Sequence, residues 1–157
     1  MQALCGALFL AVIAVAAAIA QQECEDVTKL DVRNQTIRTA QRTFAFHDGI
    51  AVNYDSPPDQ DAKHSQPDWK ATIEKDCIIQ PAPNVVVRFL LIHDSHETGS
   101  GWRYYATGLR CSSGEMQEVF QRDGLSLRVD RLDSTVIRVG ANYVWDRSVS
   151  KYVLSPK

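Results

Sequence analysis

The sequence predicts an antiparallel all-β protein, a β-sandwich or barrel of about eight to ten short strands. Three observations predict it. Apolar residues recur with a period of two, as where Leu125, Leu127 and Val129 alternate with Ser126, Arg128 and Asp130. Turn residues (Gly, Pro, Asn, Asp) return roughly every 8–12 residues. Helical stripes are missing: in Thr28 to Thr43 the residues Leu30, Asn34, Ile37 and Gln41 do not form one, so that stretch reads as strand or irregular.

Ala3 to Ala20 holds no charge and ends in Ala18-Ile19-Ala20, an A-x-A pattern, just before polar Gln21-Gln22-Glu23. Residues 1–20 read as a secretory signal peptide cleaved after Ala20. The rival is an uncleaved anchor, since the run approaches the roughly 17–25 apolar residues of a spanning helix. Its small residues and A-x-A end favour cleavage. Residues 21–157 then form one secreted domain of 157 less 20, or 137, residues.

Within that domain, Phe44 to Tyr54 reads as a hairpin about Asp48-Gly49, a pair suited to the positive φ of a type I′ turn. Asp55-Ser56-Pro57-Pro58-Asp59 stops the strand, because proline cannot donate to a ladder, and 55–68 is a polar loop. Trp69 to Ile79 resumes with a mixed pattern, ended by Pro81 and Pro83. Val85 to Ile92 is the most apolar run of the mature chain and predicts a central strand buried on two sides, interrupted only by Arg88. His93 to Gly101 is a polar, glycine-rich connector. Trp102 to Leu109 is a strand, turned by Ser112-Ser113-Gly114. Met116 to Phe120 and Leu125 to Arg131 flank Asp123-Gly124, a further hairpin signal. Val136 to Val139, Tyr143 to Trp145 and Tyr152 to Leu154 complete the set.

Lys plus Arg is 17 and Asp plus Glu is 19, for a net charge of -2. That balance argues against a nucleic-acid binder, which must neutralise many phosphates. Charge is uneven: residues 103–157 hold 9 basic and 6 acidic groups, including Arg122, Arg128, Arg131, Arg138 and Arg147. Their alternation with Asp123, Asp130, Asp133 and Asp146 reads as a wet face laced with ion pairs. Cys5 leaves with the signal. Cys24, Cys77 and Cys111 remain, an odd number, which predicts one bridge and one thiol left over, with all three pairings open. The leftover thiol is either buried and inert or the link of a disulfide homodimer. Asn34-Gln35-Thr36 is the N-glycosylation sequon.

The segment richest in chemistry is His93-Asp94-Ser95-His96-Glu97, with Trp102 and Tyr104 close behind. Two histidines and a carboxylate suit zinc or copper when they converge. In a strand His93 and His96 point to opposite faces, so a polar hairpin loop is the plainer reading. Asp55, Asp59 and Asp61 lack EF-hand spacing and read as a solvated loop. No nucleophile elbow, H-E-x-x-H, phosphate loop or dinucleotide fingerprint occurs.

In outline the chain resembles the lipocalins, without their early G-x-W signature. Asn84 to Trp145 resembles the H-type lectins, with valines leading to Asp94 and a glycine turn at Gly114, without their TW pair. No binding residue is carried over from either. The sequence leads to a secreted, non-catalytic binding protein for a carbohydrate or small apolar ligand. His93, Asp94, His96, Glu97, Trp102 and Tyr104 are its candidate contacts, and neither a metal nor a cofactor is expected. The alternative is an extracellular structural or disulfide-linked interaction protein. A metal-dependent hydrolase ranks last. No nucleic-acid partner is expected, nor a membrane span after cleavage.

Overall fold

The computed structural model describes residues 23–40, 42–53, 69–96 and 103–156. The expected signal peptide, the polar loop 55–68, Glu97 and Trp102 lie outside these residues. Eleven strands form three antiparallel sheets. The chain is an all-β sandwich, and the described strands close no barrel.

The principal sheet has the order β3 (Ile50–Asn53), β4 (Trp69–Ala82), β5 (Val85–His96), β6 (Arg103–Ser112) and β7 (Glu115–Gly124). Against one face lies a four-stranded sheet of β8 (Val129–Leu132), β9 (Val136–Val139), β10 (Asn142–Asp146) and β11 (Lys151–Leu154). Against the other lies the hairpin of β1 (Thr36–Arg38) and β2 (Thr43–Ala45), with a 3-10 turn at Val27–Lys29. The principal sheet is therefore covered on both sides, as the apolar run of β5 on either side of Arg88 requires. Leu90 and Ile92 enter the core with Phe44, Phe46 and Trp69. Val87, Phe89 and Leu91 enter a second core with Phe120, Ile137 and Tyr152.

Arg88, the one charge in that run, fastens the N-terminal layer. Its Nε and Nη2 each donate to Asp76 at 2.7 Å, and its Nη1 donates to the carbonyls of Val27 and Leu30. The bond to Asp76 pushes the Arg88 pKa above its ordinary value. Cys24 is bonded to Cys111 across 87 residues, with a Cα–Cα distance of 5.2 Å, and Cys77 is the free thiol.

Three turns behave as their residues predict. Asp48 and Gly49 have φ of 53° and 81°, and Ser113 and Gly114 have 55° and 82°, both pairs in the region a type I′ hairpin needs. Asn84, at φ 62°, follows Pro83 in the β4–β5 turn. The strands leaving Asp48-Gly49 then part company, β2 pairing with β1 and β3 with β4.

Other expectations are corrected. The long strands run 10 to 14 residues rather than being short. The strand does not stop at Pro81, which falls at a register shift between Ile79 and Ala82 where no ladder donor is needed. Asp123-Gly124 is no hairpin: both lie in β7, where Gly124 stands opposite Tyr104 and the missing Cβ makes room for Leu127. Leu125 is 70% exposed and the strand that follows begins at Val129. His93 to His96 are strand rather than connector, because β4 pairs with all four and β6 with His93 and Asp94.

Candidate functional site

β5 and β6 pair so that His93 stands opposite Tyr104 and Asp94 opposite Arg103. Successive strand residues face opposite sides, so this end of the sheet presents two different groups.

On the side of the four-stranded sheet, the His93 and Tyr104 rings stack, with centroids 4.5 Å apart and planes 17° apart. Both are half-buried. His93 Nδ1 lies 3.3 Å from Glu74 Oε1. Glu74 gets there through a β-bulge. Ile73 pairs with Ile92 and Lys75 with Leu91, so Glu74 is the extra residue between them. Its carboxylate is 42% exposed and remains open to a second contact.

On the opposite side Asp94 is 3% exposed and accepts from Arg42 Nη1 at 2.6 Å. The Arg42 guanidinium lies 4.2 Å above the Trp69 ring centroid, a cation–π contact. Beneath it, Phe44 packs edge to face against both Trp69 and Tyr105. Nearby, Arg103 Nε lies 3.2 Å from Asp123 Oδ2. This is a clamp that holds the loop between β1 and β2 onto the sheet.

The expected contacts are therefore divided. His93 and Tyr104 come together, with Glu74 added. Asp94 faces away and is held by Arg42, so His93 and Asp94 cannot share one ion. His96 ends β5 opposite Trp69, and its side chain lies outside the described part, as do Glu97 and Trp102. No group of three or more metal-ligating side chains occurs among the described residues. Glu74 and Arg42 went unnoticed in the sequence because neither lies near His93 or Asp94 along the chain. Asn34 is exposed, its Nδ2 donating to Asp31 and its Oδ1 accepting from the Asp48 amide, each at 2.9 Å.

No family model matches the chain, and no curated protein or solved structure matches it either. A second feature lies on the four-stranded sheet: a pocket of about 310 Å³ lined by the β9–β10 turn and the C-terminal residues after β11.

Proposed function

We propose that the chain is a secreted, non-catalytic extracellular binding protein for a carbohydrate or small apolar ligand. The observation that carries this reading is the stacked His93–Tyr104 pair beside the exposed Glu74 carboxylate. Rigid aromatic surface on a strand offers contact area at low entropic cost. A carboxylate at its rim accepts from hydroxyl groups, the combination a sugar presents. The sequence of residues 1–20 supports secretion. The Cys24–Cys111 bridge fits an oxidising compartment, and exposed Asn34 fits a glycan acceptor. No helix among the described residues is long and apolar enough to cross a membrane.

The test is binding of the secreted protein to a glycan array, followed by calorimetry of Tyr104→Ala and Glu74→Gln. Both variants should keep the parent circular dichroism and lose binding at least tenfold. Unchanged binding in both would sink the site. A co-purified apolar molecule in native mass spectrometry, displaced in Tyr104→Ala, would select the apolar ligand over the sugar.

A second reading is an extracellular interaction protein, favoured by one observation: Cys77 is free and half-exposed on β4. Beyond Thr72, where its pairing with β3 ends, β4 has β5 as its ladder partner among the described residues. A bare, reductant-sensitive dimer that Cys77→Ser abolishes would select this reading.

A further inference from the structure

We infer that the pocket at the β9–β10 turn is a ligand site for a small organic anion, a carboxylate carried on an apolar body. It is separate from His93 and Tyr104 and does not depend on them. Its volume of about 310 Å³ reaches the lower end of small-molecule sites, roughly 300–1,000 Å³. Arg138, Asn142 and Ser155 bring polar groups to it, and Ala141, Leu154 and Pro156 bring apolar ones.

Two observations select a negative charge. First, Arg138 is exposed, and its guanidinium has no hydrogen-bond or ion-pair partner among the described residues. Arg42, Arg88, Arg103 and Arg128, by contrast, each face a carboxylate. Second, Arg122 approaches the same turn: a Cβ added to Gly140 would lie 3.8 Å from its Nη2. Arg122 Nη1 donates to the Tyr143 hydroxyl at 2.8 Å, a neutral partner that leaves its charge uncompensated.

The apolar half of the lining selects the body. Leu154 is 60% exposed, and a bare inorganic ion would leave it so. A carboxylate matches the planar guanidinium fork two bonds at a time, while a ring or short chain covers Leu154, Ala141 and Pro156. Ile137 and Val139 turn inward to the core, so Arg138 between them points outward, and filling the pocket disturbs no packing.

The test is an NMR titration of the full secreted protein with benzoate as the probe. Saturable shifts are expected at the amides of Gly140, Ala141, Asn142 and Ser155. Arg138→Gln, at an exposed position, should fold normally and weaken benzoate about tenfold, the loss of a charge-assisted bond. Tyr104→Ala should leave this titration unchanged, and inorganic phosphate should compete poorly. The inference is overturned if the shifts grow linearly without saturation. It is equally overturned if Arg138→Gln titrates like the parent, or if phosphate displaces benzoate at equal concentration.

Discussion

Asp94 shows what a single buried charge does here. Its carboxylate is almost sealed from solvent and its partner is Arg42, which is itself stacked on Trp69. Removing one member of such a pair strands the other, whereas replacing both with apolar residues need not. Asp94→Ala should therefore cost about 2–4 kcal/mol in urea unfolding. The double variant Arg42→Met/Asp94→Leu should cost less than Asp94→Ala alone. Equal or greater loss in the double variant would mean that the pair itself, and not the stranded arginine, carries the stability. Neither the partnership nor its face was legible in the sequence. The two residues are 52 positions apart, and Asp94 faces away from His93 because both lie in strand rather than in a connector. Tyr104 was a candidate because it follows the expected connector closely, but its stacking on His93 is a product of the β5–β6 register.

Most strands were legible, because their alternation and turn residues agree. β9, β10 and β11 fall close to the segments their apolar pattern marks, and Arg88 marked an oddity that the N-terminal layer explains. β4 was legible only as a mixed pattern, and the bulge is the reason. Trp69, Ala71 and Ile73 join one core and Ile79 joins the other, although all four have odd numbers. The extra residue at Glu74 shifts the phase between them, and period-two reading cannot survive such a shift. Register shifts recur within the β6–β7 and β8–β9 ladders. Deleting Glu74 leaves Ile73 and Lys75 paired as they are, so that variant should fold, at a cost of less than about 2 kcal/mol. Deleting Ala71 forces Trp69 out of the core and should cost about 3 kcal/mol or more. Urea midpoints compare the two, and a reversed order would refute the bulge as the source of the phase change.

At the scale of the whole molecule, the disulfide joins the N-terminal layer to β6, while the turn at Asp48-Gly49 joins the same layer to the principal sheet at β3. That bridge has a kinetic consequence. In an unstructured chain, the chance that two thiols meet falls with the 3/2 power of their separation. Cys77 and Cys111 are 111 less 77, or 34, residues apart; Cys24 and Cys77 are 53 apart; the native pair is 87 apart. Diffusion therefore favours the 77–111 loop over the native one by about fourfold. Oxidation that outruns folding should trap the wrong bond, and the fold must undo it by thiol exchange. Refolding of reduced protein in a glutathione buffer, quenched with acid and mapped by mass spectrometry, should show 77–111 first and 24–111 last. Cys77→Ser should reach the native bridge sooner, and an unchanged rate would show that β4 has already withdrawn Cys77 before either partner arrives.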